Sequence, residues 1–503
     1  MCNSKSIKCS IICAVIGAVF VILGGVLIPV FHNYIKKEIK EQIHLTKGSS
    51  TFDTWKEPPV PIYFQIWVFD LMNPIEVVQN GAKPALMQKG PYTFREHRKK
   101  ENISWNNDLG TITYREIRSF TFDRDKSAGP QSDTFTTVNL PMITVVELIR
   151  REFNWLKELV EIVLTFVQDQ ELFLTLSIHD ILWGYEDNLL KKVKEEAAKF
   201  GIHLDLDDHF GLFYNQNGSD DGVYSIFSGV KGVDNFGLIN TWNNESELTY
   251  WTTPSCNKIN GSDGTIFPPF VDKSDRKYLF STDICRSIYA TYDSDVQQRD
   301  IDLLRFTVPT NVFLDHEQNP DNTGFCTPHG VCLPSGLLNV SSCKQGAPVV
   351  MSLPHFLDAA KVVQDGVIGL HPSEKEHQTI LDIEPMTGVV MNAQKKLQVN
   401  AYLRNVSEIT PTLKIKDHIV YPVLWLNESA LIDAKSAKDF RSAVLTPIYI
   451  TQAAEYGLMV LGALFIIGAL IWFIRVRVNA KSEEELVNVV DDNNVRDTAH
   501  LVQ

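Results

Sequence analysis

The sequence predicts an α+β domain, a large antiparallel sheet or barrel with a helical insert, held between two transmembrane helices. Three observations carry that reading. Uncharged apolar runs at 11–31 and 456–474 lie near the two ends of the 503-residue chain, and each is close to the ~20 residues that cross a ~30 Å hydrocarbon layer. Every Asn-x-Ser/Thr sequon falls between the runs. Between them strand composition dominates, and one long amphipathic helix interrupts it.

The first run follows Lys5 and Lys8 and is longer than the apolar core of a signal peptide. Phe31-His32-Asn33-Tyr34 behind it offers no small-x-small cleavage site, so an uncleaved signal-anchor is favoured over a cleaved signal. Lys5 and Lys8 before the first run, and Arg475, Arg477 and Lys481 after the second, place both ends in the cytoplasm. Lys36, Lys37 and Lys40 pull the other way. The sequons decide: Asn102, Asn217, Asn244, Asn260, Asn339, Asn405 and Asn427 all lie between the runs, and glycans are added only on the lumenal side. The expected plan is a cytoplasmic segment 1–10, a span 11–31, an extracellular or lumenal domain 32–455, a span 456–474 and a cytoplasmic acidic tail 475–503. Cys2 and Cys9, juxtamembrane and cytoplasmic, are candidates for S-acylation, with plain thiols as the alternative.

Within the central segment, Tyr63 to Phe69 is aromatic and β-branched, and Gly110 to Phe122 has strand composition. Leu397, Val399, Ala401 and Leu403 alternate with Gln398, Asn400 and Tyr402, the pattern of a half-buried strand. After Pro141, apolar residues recur at Val146, Ile149, Phe153, Leu156, Val160, Val163 and Val167, which predicts an amphipathic helix over 143–167. A second helix is expected over 178–200. Five cysteines, Cys256, Cys285, Cys326, Cys332 and Cys343, cluster in one stretch. An oxidising compartment would join them locally, and the odd count leaves one over.

A net charge of −14 argues against a general nucleic-acid binder. Gly-x-Ser-x-Gly, the phosphate loop and His-Glu-x-x-His are absent. His355, His377 and the pair Asp382 and Glu384 read as structural or surface groups, because neighbours in sequence do not make a site. Cys326 to Cys332 with His329 between is a weak imitation of a zinc site, and a small disulfide loop is favoured. No catalytic residue, metal or cofactor is expected.

A set of ordered motifs resembles the class B scavenger receptors. They include Gly90-Pro91-Tyr92-Thr93-Phe94-Arg95-Glu96, Ile181-Leu182-Trp183-Gly184-Tyr185, Ile259-Asn260-Gly261, Phe267-Pro268-Pro269-Phe270 and Asp283-Ile284-Cys285-Arg286-Ser287. Pro354-His355-Phe356, Leu381 to Gly388 and Trp425-Leu426-Asn427-Glu428-Ser429 continue the series, so the resemblance covers the whole central segment. Within the family the chain looks nearest to the fatty acid translocase. The helix after Pro141 and Gly324-Phe325-Cys326-Thr327-Pro328 look more like the lysosomal integral membrane protein. The resemblance implies an antiparallel β-barrel core, an apex bundle of helices at about 141–200, and an internal lipid tunnel running toward the membrane. It also implies disulfides Cys285–Cys343 and Cys326–Cys332, with Cys256 a free thiol.

The apex is the family's docking region. Arg150, Arg151 and Lys157, with Phe153 beside them, are the ligand-binding candidates, against the alternative of a solvated helix face. Burying a lipid tail releases ~0.8 kcal/mol per methylene, so no catalysis is required. Some family features are missing. Phe166 to Gln170 lacks the translocase lysine, Glu152 stands where the lysosomal member has a histidine, and Gly324 replaces a cysteine. The expected function is a cell-surface receptor that facilitates uptake of long-chain fatty acids and lipoprotein lipids and recognises oxidised or anionic lipids. Homo-oligomer formation stays open. The rival is an endolysosomal membrane receptor that exports lipid or carries a lumenal protein. Asp497, Leu501 and Val502 approximate an acidic dileucine sorting signal in the acidic tail.

Overall fold

The computed structural model describes the backbone of residues 2–152, 157–204, 207–328, 330–407, 409–416 and 419–499. It describes the side chains of these residues except 2–5, 149–152, 157 and 489–499. Two compact units emerge: the terminal helices, Met1–Glu41 with Lys438–Gln503, and a central domain, Gln42–Ala437.

The helices Cys2–Gln42 and Thr446–Ala499 are long and apolar enough to cross a bilayer. They pack antiparallel along a seam of small residues. Ser10, Gly17 and Gly24 are buried at seven-residue spacing, and so are Glu455, Gly462 and Ala469 on the other helix. The Ser10 hydroxyl donates to the Ala469 carbonyl at 2.9 Å. A Cβ on Gly17 would lie 2.7 Å from the Gly462 carbonyl oxygen. Small residues let two backbones approach where lipid supplies no hydrophobic drive, and the seven-residue repeat keeps the seam aligned. Ile11, Val15, Ile22, Leu464 and Ile471 remain exposed around it.

The central domain is built on one large antiparallel sheet, with two separate two-stranded pairs, Thr134–Val138 with Phe173–Ser177 and Tyr185–Glu186 with His209–Phe210. From edge to edge the strands of the large sheet run Arg276–Ser281, Arg286–Gln298, Ile301–Thr307, Ile380–Ile383, Val390–Leu403, Ile419–Leu431, Ile62–Leu71, Leu86–Asn106, Thr111–Asp123, Val223–Phe227 and Ile239–Trp242. A short pair, Leu338–Asn339 and Val349–Ser352, extends the sheet along the edge of Val390–Leu403 that Ile380–Ile383 leaves unpaired. The two edges meet through the segment around Gly261. Ile239 N–H donates to the Gly261 carbonyl at 2.8 Å, Ser262 N–H to Tyr278 at 3.1 Å, and Phe280 N–H to Ser262 at 2.9 Å. The sheet is thereby nearly closed into a barrel, which removes the unpaired edges an open sheet would carry. Gly261 has φ +90°, and a Cβ there would lie 1.9 Å from the Tyr278 carbonyl oxygen.

Helices Leu140–Glu152, Lys157–Gln168 and Asn188–Lys199 pack against one another. The helix expected over 143–167 is described as two, on either side of residues 153–156. The helix expected over 178–200 is likewise two, Ile178–Trp183 and Asn188–Lys199. Gly184 at φ 108° ends the first, and the Asp187 carboxylate, accepting from Leu190 N–H at 2.9 Å, caps the second. The strand ending at Leu403 also departs from expectation, because Gln398 and Asn400 are fully buried rather than solvated. The chain around 350–355 covers that face. Asn400 donates to the Val350 carbonyl at 2.9 Å, and Gln398 accepts from His355 N–H at 2.7 Å. Asp382 and Glu384 are structural and buried: Arg305 clasps Asp382 at 2.7 and 2.9 Å, while Glu384 accepts from Thr387 N–H at 2.8 Å.

The closure makes one substitution diagnostic. Gly261→Ala should cost roughly 3 kcal/mol, since strain at positive φ adds to a backbone collision. Thermal unfolding of the purified chain should show a clear drop in Tm, and an unchanged Tm would remove Gly261 from the closure.

Candidate functional site

Alternation along the central strands divides the barrel interior into two layers. Phe94 lies opposite Phe64 and Phe122, and Phe120 opposite Glu96. These residues therefore share a face, together with Arg98, Lys100, Glu116 and Arg118. Leu426 and Leu397, and Leu424 and Val399, face each other on the neighbouring strands, and Glu428 faces Lys395. One layer is thus aromatic and aliphatic and the other is charged.

The charged layer is closely paired. Lys100, fully buried, reaches Glu116 at 2.5 Å and lies over the rings of Trp55 and Tyr114 at 5.2 and 5.6 Å. Trp55 comes from the helix Ser50–Lys56, which plugs this end of the barrel. Arg98 binds Glu96 at 2.8 Å and also pairs with Glu428. Lys395 joins Glu428 to Asp283, and Arg118 meets Asp221 at 3.3 Å. Burial opposes ionisation of Glu116, but the charges of Lys100 and Arg98 override it and hold the carboxyl down at about 2. Burial likewise opposes ionisation of Asp283, and Lys395 and Arg118 hold it well below the usual carboxylate range.

Beyond the apolar layer the barrel mouth opens into an aromatic cleft of about 400 Å³. Phe94, Phe120, Phe122, Trp183, Phe213 and Tyr214 supply the rings, with Gln131, His179, Asn215 and Asn217 at the polar rim. Trp183 packs 5.2 Å from Phe94 and 5.4 Å from Phe120 between ring centroids, and Phe64 lies 5.1 Å from both Phe120 and Phe213. The volume lies within the range of small-molecule sites, and the lining suits an apolar chain. Sequence reasoning gave these rings no role. Phe120 and Phe122 at strand spacing, and Trp183 within a family motif, were the available signals.

On the outer side of the barrel, His355 and His377 stack 4.3 Å apart and are both buried. Each Nδ1 accepts a backbone N–H, from His371 at 2.9 Å and from Ser373 at 3.0 Å. His355 Nε2 donates to the Gln88 side-chain oxygen Oε1, which also receives Trp425 Nε1–H at 2.6 Å. Protonating either ring breaks one of the bonds to Nδ1. Burial, with the His377 and His371 charges, pushes His355 down to about 3. Burial pushes His377 down to about 4, where Glu376 opposes it and Lys396 assists.

The disulfides Cys285–Cys343 and Cys326–Cys332 are both formed, and Cys256 is a buried free thiol. His316 lies near the smaller disulfide, whose sulfurs are bonded to each other. Arg286, next to Cys285, is buried 3.6 Å from the Phe325 ring and donates to the Val312 carbonyl at 3.3 Å. Among the sequons, Asn102, Asn217, Asn244 and Asn260 are exposed and Asn339 and Asn405 half-buried. Asn427 departs from the exposed-loop expectation: it is buried on a strand and donates to Gln65 at 3.1 Å. Cys9 is exposed on the first helix. Phe153, Leu501 and Val502, and the side chains of Arg150, Arg151, Lys157, Cys2 and Asp497, lie outside the described residues.

Two outcomes follow from this geometry. A Cβ on Gly324 would lie 2.6 Å from Cys256 Sγ. A Gly324 Cβ would also lie 3.0 Å from Cys256 Cβ, so Gly324→Cys, once the two segments part by about 0.5 Å and Thr253 rotates, should close a third disulfide and add about 2 kcal/mol of stability; mass spectrometry would show the free thiol lost. The histidine stack makes stability fall in acid. The unfolded chain takes up these protons from pH ~6.5 downward, whereas the folded chain resists until near 4 and 3. Tm should be level above that pH and decline below it. His377→Phe, which keeps a ring in the stack, should shrink the loss between pH 7 and 4.5.

Comparison with known proteins agrees with this architecture. The family model described as the CD36 family matches residues 15–473. Lysosome membrane protein 2 of Homo sapiens is 38% identical over 437 residues, covering 87% of this chain and 88% of that protein. The Rattus norvegicus protein of the same name is 37% identical over 437 residues, with the same shares covered. Scavenger receptor class B member 1 of Mus musculus is 35% identical over 460 residues, covering 92% of this chain and 88% of that protein. The chain therefore belongs to the CD36 family, the class B scavenger receptors.

Proposed function

We propose that this chain is a cell-surface receptor that takes long-chain fatty acids and lipoprotein lipids from outside and facilitates their uptake. Its two apolar helices would span the membrane with both termini cytoplasmic. The aromatic cleft at the barrel mouth is the observation that carries the reading, because six rings line an open space of about 400 Å³, large enough for a lipid tail, with polar groups at its rim. Each methylene buried there contributes ~0.8 kcal/mol, so an acyl chain binds without a covalent step. Arg150, Arg151 and Lys157 on the apex helices would meet the anionic head, or the anionic surface of an oxidised particle. The charged layer gives the interior a polar floor beneath the tail.

A second reading is supported by the similarity to proteins named lysosome membrane protein 2 and by the acidic tail ending at Asp497, Leu501 and Val502. In it the chain resides in endolysosomal membranes, where it exports lipid or carries a lumenal protein. Steady-state location separates the two readings, and movement to the surface on Leu501→Ala would favour the second.

Photolabelling tests the cleft. A diazirine-bearing palmitate should mark peptides spanning 117–123 and 179–217, and excess oleate should compete. Phe120→Glu, which places a carboxylate among the rings, should reduce labelling at least tenfold. Charge reversal at Arg150, Arg151 and Lys157 should weaken binding and leave the labelled peptides unchanged. Labelling elsewhere, or none, would overturn the assignment.

A further inference from the structure

Two loops at the end of the central domain where the chain arrives from the first helix leave large apolar side chains in the open. The hairpin between the strands Leu86–Asn106 and Thr111–Asp123 exposes Leu109 at 57% and Trp105 at 37%. The loop after Val223–Phe227 exposes Val230 at 54%. The loops are tied together. Ser228 donates to the Gly110 carbonyl through its N–H at 2.9 Å and its hydroxyl at 2.8 Å. Lys231 donates to the Asp108 carbonyl. Asn106 braces the hairpin, accepting the N–H groups of Asp108 and Leu109 at 3.0 and 3.1 Å. The result is a braced wedge rather than two mobile tips.

The segment from the first helix is fastened to this wedge. Leu45 N–H donates to the Ser228 carbonyl at 3.0 Å, and the Phe52 ring lies 5.4 Å from Trp105. The apolar run ends at Phe31 and the helix continues to Gln42. Eleven helical residues rise ~16 Å and three extended ones add ~10 Å. Chain length therefore confines Ser228 to within ~26 Å of the end of the run. We propose that Leu109, Val230 and Trp105 form a membrane-contact wedge, seated in the headgroup layer of the leaflet that the first helix enters. This rests on the reading that residues 11–31 span the bilayer.

The chemistry fits an interfacial depth. Tryptophan favours the headgroup zone, and an exposed lysine such as Lys47 reaches lipid phosphates while its stem stays apolar. Asp108, exposed beside Leu109, keeps the tip out of the hydrocarbon. The partner is a lipid surface, because two aliphatic side chains on small loops without a groove offer little to a protein.

Full-length chain in phosphatidylcholine nanodiscs containing 5-doxyl phosphatidylcholine tests the proposal. Cys2, Cys9 and Cys13 are replaced by serine, the buried Cys256 stays in place with its labelling measured on that parent chain, and one added cysteine at Leu109, Val230, Val26 or Val362 carries bimane. All four positions are exposed, so the label does not disturb the fold. Quenching at 109 and 230 should be at least twice that at 362, with 26 strongly quenched. Position 26 quenched while 109 and 230 match 362 would overturn the wedge and leave the span intact. Position 26 unquenched would overturn the span and the wedge together.

Discussion

The central domain depends on one short hydrogen-bonded junction. Without it the strands at Arg276–Ser281 and Ile239–Trp242 would be free edges, and a sheet of this size would expose unpaired N–H and C=O groups on both. The backbone at Gly261 and Ser262 satisfies them from two sides. Only a residue without a Cβ fits, since the Tyr278 carbonyl occupies the space. Closure then creates an inside, which holds the paired charges and is bordered by the aromatic cleft.

The interior is layered, and this limits what it can do. Lys100, Arg98, Arg118 and Lys395 would be costly to bury alone, and each has a carboxylate within reach. A layer so paired is rigid and wet in character, and it closes the end plugged by Trp55. The other end offers rings and no charge. An amphiphile entering from the cleft meets apolar contact first and polar groups only deeper, an order that suits a tail-first guest. The family resemblance implied an internal tunnel; the described side chains show an aromatic cleft and a paired charged layer on the same face of the sheet.

The helical unit solves a different problem. In lipid the apolar exterior of each helix gains nothing from association, so contact has to come from close packing. Ser10 against Ala469 and Gly17 against Gly462 supply it, and Gly24 lets the backbone of Glu455 approach at the next step of the repeat. The exposed Leu, Ile and Val around them are what a helix surrounded by lipid should carry.

Much was legible in the sequence alone. The apolar runs, the sequons between them, the strand signals at 63–69 and 110–122 and the family all follow from local composition or ordered motifs, because length, period and sequence order are properties of one chain segment. The disulfide pairs came from the resemblance rather than from spacing. The remainder needed tertiary structure. Alternation made Gln398 and Asn400 appear solvated, yet a distant segment covers them, and covering is not encoded in period. Asp382 and Glu384 read as structural or surface charges, and burial with Arg305 and Thr387 decides for the structural alternative. The aromatic cleft joins positions 94, 120, 183 and 213, and the charged layer joins 98, 116, 283 and 428. Such sites depend on which strands become neighbours when the sheet closes, so the sequence determined the envelope and the family while the closed barrel decided the site.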